Sequence, residues 1–288
     1  MSGIDYAALK KGGFMRQRQK DHFSMRLKVI GGQLSAAQVR KIGEVADKYG
    51  RGYIHLTSRQ GVEIPFIALE DIDRVKEDLA AGGVNVGVCG PRVRTITACQ
   101  GSGVCPSGII ETSGLAEELD KRYFGQELPH KFKIGITGCK NNCLKAEEND
   151  LGIKGGIFPQ WDKGACTFCG LCEAACPVKL ILVDKENRDL SFDEKGCVYC
   201  GKCVKGCPAD AWKGKNGYLL SFGGMFGNEI KEGLHLLPLI FDTAQVFKAA
   251  DAVINFYRNH AKAGERLGRT ITRVGTGGVK KELEEAVG

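Results

Sequence analysis

No stretch of this 288-residue sequence is apolar for long enough to span a bilayer; the longest, LHLLPLIF at 234–241, falls far short of the ~20 residues a spanning helix needs. The opening MSGIDYAALKKGGF lacks the apolar stretch of a secretory leader, so a cytoplasmic chain is expected. There is no glycine fingerprint for a dinucleotide and no flavin-type segment, which leaves any electrons to be delivered by a separate donor protein. A clustered basic arm is also missing. The formal charge is +7, yet the cations are dispersed or paired, which argues against a nucleic-acid binder and for a bound anion. Apolar residues make up 43% and charged residues 26%, the balance of a soluble globular protein with room for two domains.

Cysteine is what the sequence has in excess: thirteen, grouped in tight local runs. A disulfide framework belongs to small exported chains, so metal ligation is the better reading. CTFCGLCEAACP places Cys166, Cys169, Cys172 and Cys176 in a CxxCxxCxxxCP run, and CVYCGKCVKGCP repeats it with Cys197, Cys200, Cys203 and Cys207. That is the run of a bacterial ferredoxin, in which three thiolates hold one cluster and the fourth crosses to the other. By this rule Cys166, Cys169, Cys172 and Cys207 hold one 4Fe–4S cluster, and Cys197, Cys200, Cys203 and Cys176 hold the second. Zinc, the alternative, prefers two CxxC-like pairs to four ligands in one run. Glycine-rich GGIFPQWDKG and WKGKNGY bound this segment and mark residues 161–213 as an insertion.

The flanking chain has α/β or α+β texture. FSMRLKVI (23–30) alternates as a strand, and SAAQVRKIGEVADKYG (35–50) reads as a helix with a Ser N-cap and an apolar face through Val39, Ile42 and Val45. GYIHLTS and VEIPFIA read as strands, and 69–81 as a helix through Ile72, Val75 and Leu79. VNVGV could close a ferredoxin-like split βαβ unit. A strand at KFKIGIT (131–137), a helix at 106–124 led by Pro106, and a long helix over about 243–263 follow.

Four more cysteines lie in ACQGSGVCPSG (Cys99, Cys105) and GCKNNC (Cys139, Cys143), each pair after an expected strand and before an expected helix. Convergence at helix N-termini would favour anionic sulfur and complete one cubane; the plainer alternative is ordinary buried thiols. Cys89 has no partner pattern and reads as a core thiol. Beside these lie cations two apart: Arg26 and Lys28, Arg92 and Arg94, Lys131 and Lys133. In strands each pair shares a face, which is ordinarily a solvated one, but two of the pairs run straight into the cysteine loops.

RTITACQGSGVC and LPHKFKIGITGCKNNC, supported by FSMRLKVIGGQL, HLTSRQG, GYLLSFGG and RLGRTITRVG, resemble the siroheme and iron–sulfur module of the sulfite and nitrite reductases. The inserted ferredoxin is similar to that of the dissimilatory and anaerobic sulfite reductase subunits. The resemblance implies an α+β fold: an N-terminal ferredoxin-like half domain at 1–80, a siroheme/4Fe–4S α/β domain at 81–160 and 214–288, and a 2[4Fe–4S] ferredoxin at 161–213. It implies three 4Fe–4S clusters and siroheme. Cys99, Cys105, Cys139 and Cys143 match the ligands of the siroheme-linked cluster, with Cys143 the bridging thiolate. Arg26, Arg94, Lys131 and Lys133 match the anion-binding cations, Arg59 an arginine that pairs a siroheme carboxylate, and Asn141 a loop asparagine near the macrocycle. Two departures concern macrocycle contacts: KNN replaces a loop that in many relatives has proline first and glycine last, and Glu63 replaces a glutamine of some relatives.

The implied reaction is six-electron reduction of sulfite to sulfide, with nitrite reduction or a siroheme-free electron-transfer protein as alternatives. Lys131 and Lys133 are the expected proton donors, the arginines bind and polarise, and an external low-potential protein supplies electrons. Larger relatives carry two copies of the module, so a homodimer or a pair with a related subunit is expected to complete the site.

Overall fold

The computed structural model describes residues 4–288, so Met1–Gly3 of the expected leaderless start lie outside the described residues. The N-terminal part runs α1 (Tyr6–Lys11), β1 (Phe14–Arg16), β2 (His22–Arg26), α2 (Ala36–Tyr49), β3 (His55–Leu56), β4 (Val62–Ala68) and α3 (Ile72–Ala81). Its sheet is antiparallel in the order β1-β2-β4-β3. The apolar faces of α2 and α3 close on it through Ile42, Val45, Val75 and Leu79, packed with Met25, Ile64 and Ile67.

Local chemistry explains the helices. Ser35 caps α2 in a capping box with Gln38, satisfying two otherwise orphaned N–H groups, and Gly50 ends it. Val39, expected on the buried face, is 52% exposed instead; the core stripe begins one turn later at Ile42. Three other expectations need correction here. The first strand stops at Arg26; the chain stays extended at Val29 and then turns through Gly31 at φ 58°. VNVGV is not a strand and touches the sheet only by a bridge between Leu27 and Val86. The edge is taken by β1, whose three residues are too few to show a periodicity.

The second part continues with β5 (Thr97–Ala98), α4 (Ser113–Tyr123), β6 (Ile134–Thr137) and β7 (Leu151–Trp161), then α5 (Leu171–Ala175), β8 (Ile181–Asp184), β9 (Asp189–Phe192), α6 (Lys202–Lys205) and β10 (Trp212–Phe222). It closes with α7 (Thr243–His260), α8 (Leu267–Val274) and α9 (Thr276–Val287). The sheet order is β10-β7-β6-β5, with β5, β6 and β7 parallel and β10 antiparallel to β7. Phe132, Ile136, Ile153 and Phe222 meet Val253 and Tyr257 of α7 in its core.

The glycine-rich stretches that read as boundary loops are inside β7 and β10. These strands pair over their full length from Leu151↔Phe222 to Trp161↔Trp212, so residues 162–211 leave from the tip of a ribbon and fold back to its middle through a bridge between Ile157 and Cys200. The β8–β9 hairpin and short helices α5 and α6 pack there around Phe168, Ile181, Leu190 and Trp212. The helix expected from Pro106 starts only at Ser113, and Lys131 and Lys133 precede β6 rather than lying within it. None of the described helices is long and apolar enough to cross a membrane.

Candidate functional site

Two adjoining cavities form a groove between the N-terminal sheet and the ends of β5 and β6. The first, of about 270 Å³, is lined by Arg26, Arg59, Arg94, Lys131 and Lys133. The second, of about 350 Å³, is lined by Thr97, Cys143, Asn149 and Phe226 and shares Ser58, Arg59 and Lys133 with the first. All four expected anion-binding cations therefore stand in one wall, and Cys143 at the far end. The other members of the i, i+2 pairs leave the groove. Lys28 pairs with buried Asp120 at 2.6 Å and lies over the Phe124 ring, while Arg92 pairs with Glu127 at 2.8 Å. The shared-face expectation fails for these two pairs, whereas Lys131 and Lys133 do line the same cavity.

Arg59 lies at the centre. Its guanidinium donates to Asn149 Oδ1 at 2.9 Å and to the Thr95 carbonyl at 3.3 Å. Burial pulls its pKa down to about 10, against the pull of Asp150. Lys133 is brought down to about 8, first by burial and then by Arg59 and Arg266. Lys131 is lowered by burial and by Arg266 and Arg94. Beneath them Asp150 is fully buried, accepting from the Lys133 backbone N–H at 2.9 Å and from Arg266 Nε at 3.2 Å and Nη2 at 2.8 Å. Burial raises the Asp150 carboxyl pKa, and Arg266 opposes that rise; the two-point fork is the geometry of an ionised carboxylate.

Sequence reading missed three residues here: Asp150, Arg266 and Gln60. The Gln60 amide donates to the Ala98 carbonyl at 3.0 Å and accepts from its N–H at 3.1 Å, tying the Arg59 turn to the strand that leads into Cys99. Gln60 and Arg266 both sit in stretches that carried the resemblance, HLTSRQG and RLGRTITRVG, which was the available signal. Asn141 is exposed and lines neither cavity. Its neighbour Asn142, at φ 54°, shapes the loop instead by accepting from the Ala146 N–H at 2.9 Å.

The cysteine loops meet at glycines. Gly138 N–H donates to Cys99 Sγ at 3.0 Å, and a Cβ on Gly138 would fall 2.8 Å from Gly101 Cα, so the Cys139 turn lies directly on the Cys99–Cys105 loop. No regular helix opens at either pair: Cys143 is followed by a short 3-10 turn at Ala146–Glu148, and Cys105 by a loop that reaches α4 only at Ser113. The orientation of N–H groups toward sulfur comes from tight turns, not from the expected helix ends.

At the ribbon tip the two runs have matching backbones, with φ of 56° and 53° at Phe168 and Tyr199 and 83° and 68° at Gly170 and Gly201. Phe168 N–H approaches Cys166 Sγ and Tyr199 N–H approaches Cys197 Sγ, both at 3.4 Å. Cys166, Cys169, Cys172 and Cys207 together line one small pocket. Cys197, Cys200 and Cys176 are close enough to act on one another, and burial is the larger cause of the raised Cys197 thiol pKa. No three His, Cys, Asp or Glu side chains among the described residues converge as ligands of a single ion. In a cubane each thiolate takes a different iron, which needs thiols spaced around a cavity.

Residues 89–288 match the family described as nitrite and sulphite reductase 4Fe-4S domain, and residues 15–82 the nitrite/sulfite reductase ferredoxin-like half domain. The coenzyme F420-dependent sulfite reductase of Methanocaldococcus jannaschii is 34% identical over 276 residues, covering 95% of this chain and 44% of that protein. An anaerobic sulfite reductase subunit from Salmonella typhimurium is 31% identical over 188 residues, 59% of this chain and 54% of the relative. The chain thus spans about half the length of these relatives. Dissimilatory sulfite reductase I shares the fold with a TM-score of 0.74 at 20% identity, over 91% of this chain and 69% of the other.

Proposed function

We propose, for a chain that belongs to the nitrite and sulphite reductase family, that it reduces sulfite to sulfide in the groove between the Arg59 turn and the Cys143 loop. The observation that carries this reading is the set Arg26, Arg94, Lys131 and Lys133 on the wall of a groove whose other end holds Cys143. The family implies siroheme and 4Fe–4S cofactors, and the residues present fit them. Cys99, Cys105, Cys139 and Cys143 would hold the linked cluster, with Cys143 facing the groove, and Arg59 would meet a siroheme carboxylate. Asn141, being exposed, has nothing to support its expected contact with the macrocycle. When bound, these groups supply an open iron position and the store of electrons that a six-electron reduction requires.

The chain's own part is binding and proton supply. Arg94, with Arg26 behind it, holds the oxyanion and polarises its S–O bonds, since a guanidinium binds oxygen pairs and does not give up its proton near neutrality. Lys133 Nζ, with a pKa near 8, is protonated at neutral pH yet a far better acid than a solvated lysine. It donates to the departing oxygen, which leaves as water, and Lys131 is the second donor. The geometry is compatible with nitrite as well, and the inserted ferredoxin favours sulfite only by analogy with relatives.

Two ferredoxin-type clusters at 161–213, held by Cys166, Cys169, Cys172 and Cys207 and by Cys176, Cys197, Cys200 and Cys203, complete a count of three. Gly155 and Gly156 support a short path from the second set to the groove. A Cβ on Gly155 would lie 2.3 Å from the Gly138 carbonyl, and one on Gly156 would lie 3.0 Å from Tyr199 Cβ. The strand is thus pinched between the Cys139 turn and the Cys197–Cys200 loop. The exposure of Cys169 supports docking of an external donor protein on that side of the insert. Because cations and Cys143 share one groove, a site completed within one chain gains support against the site shared across a dimer. Iron, acid-labile sulfide and extracted siroheme per chain, with turnover on sulfite and nitrite, test the reading; about thirteen irons per chain are expected, about twelve in the clusters and one in siroheme, and a chain without siroheme bands would sink it.

A further inference from the structure

Cys89 is the one cysteine of thirteen that belongs to no cluster run. It is only 3% exposed and lies behind the cation wall. Arg26 Nη1 donates to its Sγ at 3.1 Å. Arg94 grips the backbone on either side of it, donating to the Val88 carbonyl at 3.3 Å and the Gly90 carbonyl at 3.0 Å. Burial lowers the Arg94 pKa, and proximity to the Cys89 sulfur opposes that. The opposite edge of Arg26 rests on Glu63, with Nε to Oε1 at 2.9 Å, and Ser24 Oγ holds the second Glu63 oxygen at 3.3 Å.

We propose that Cys89 is a positioning residue of the anion site, its sulfur held against Arg26 and its flanking carbonyls against Arg94, so that it sets the spacing of the two guanidiniums. This rests on the anion-site reading above. A buried cysteine that merely packs is a small apolar filler and needs no donors. Here the sulfur accepts an N–H of a guanidinium that lines the groove and is 32% exposed, so it fixes one edge of a charged group that is otherwise free to turn. The segment itself is anchored: Gly87 N–H donates to the Arg26 carbonyl at 2.8 Å, and Cys89 N–H to that of Lys11 at 3.3 Å. Glu63 and Cys89 thus clamp Arg26 from two sides, leaving little freedom for it to follow an anion of the wrong width. The sequence read Cys89 as a plain core thiol and Glu63 only as a departure from a glutamine of some relatives.

The test compares Cys89→Val, which keeps the filling and removes the acceptor, with Cys89→Ser, which keeps an acceptor. Sulfate binding is measured by calorimetry on the purified full chain, and KM and kcat for sulfite on the cofactor-loaded protein. Cys89→Val is expected to weaken sulfate binding and raise the sulfite KM roughly five- to tenfold with kcat within about twofold, the pattern of lost binding rather than lost chemistry. Cys89→Ser is expected to stay within about threefold of wild type. In an Arg26→Ala background the Cys89→Val effect should shrink below about twofold, since the clamped group is gone. Wild-type binding in Cys89→Val, a Ser variant as weak as Val, or an undiminished effect without Arg26 each overturns the proposal. Wild-type protein that binds sulfate but reduces no sulfite refutes the proposed reaction while leaving the clamp to be judged by the calorimetry; wild-type protein that binds no oxyanion refutes both.

Discussion

Replacing Lys28 by Met strips the counter-charge from a carboxylate that has almost no contact with water. Asp120 is 1% exposed on α4, and Lys28, just beyond β2, approaches its Oδ2 at 2.6 Å. Lys28, and more weakly the Ile96 backbone, are what oppose the burial of this carboxylate. Lys28 Nζ also sits 4.0 Å from the centre of the Phe124 ring. Truncating one partner of a buried pair costs ~3–5 kcal/mol. The Lys28 side chain is 21% exposed, so water screens part of the attraction and ~3 kcal/mol is the fitting end of that range.

With a urea m-value of ~3 kcal/mol/M, that loss moves the unfolding midpoint down by about 1 M. Burial already raises the Asp120 pKa, and Lys28 is what opposes the rise. In Lys28→Met the folded-state pKa climbs further, so the folded form takes up a proton that the unfolded form releases. The carboxylate penalty is therefore absent below the unfolded pKa and grows as pH rises toward the folded one. The stability gap between wild type and Lys28→Met should accordingly narrow by about 1–2 kcal/mol between pH 7 and pH 5, within the 1.36 kcal/mol per pH unit that one proton allows. Urea melts followed by circular dichroism at both pH values measure this. A midpoint shift under about 0.2 M, or a gap equal at both pH values, refutes the reasoning.

Lys133→Met should lower kcat on the order of 10²-fold and remove the activity loss that wild type shows as pH rises through about 8, where Nζ sheds its proton; a variant that keeps that limb in its pH–rate profile would place the acid elsewhere. Cys143→Ser should abolish sulfite reduction while leaving the insert's two clusters assembled, read from iron content and reduced-state electron paramagnetic resonance; full activity would reject the siroheme link. Mixing Cys143→Ser chains with Lys133→Met chains under conditions that exchange protomers should leave the mixture inactive if one chain completes its own groove, whereas recovered activity would establish a site shared across a dimer.

Glu63 illustrates how far one residue can be read from the chain alone. Its departure from a neutral glutamine was visible in the sequence, and so was Arg26, yet nothing in the spacing of positions 26, 63 and 89 says they touch. They meet because β2 and β4 pair in a register that sets Arg26 opposite Glu63, and because the loop after α3 returns beneath them. The same holds for Asp150 and Arg266, which are 116 positions apart and joined by two hydrogen bonds.

What the sequence determined by itself is whatever depends on neighbours along the chain. CxxCxxCxxxCP spacing, the Ser35 capping box and the apolar stripes of α2 and α3 are local, since a few residues dictate each turn and each face. The resemblance also singled out the four cations and Cys143 that line the groove, because family motifs preserve short-range pattern. What only tertiary structure decided is which of those charges look into the groove. Lys28 and Arg92 carry the same charge at the same spacing as Arg26 and Arg94, and they turn away to Asp120 and Glu127. The 11-residue ribbon of β7 and β10 likewise read as loops, because its glycines are there for close approach to Gly138 and Tyr199. A partner that folds in from far along the chain leaves no trace in local periodicity, and burial, pairing and pKa all follow from such partners.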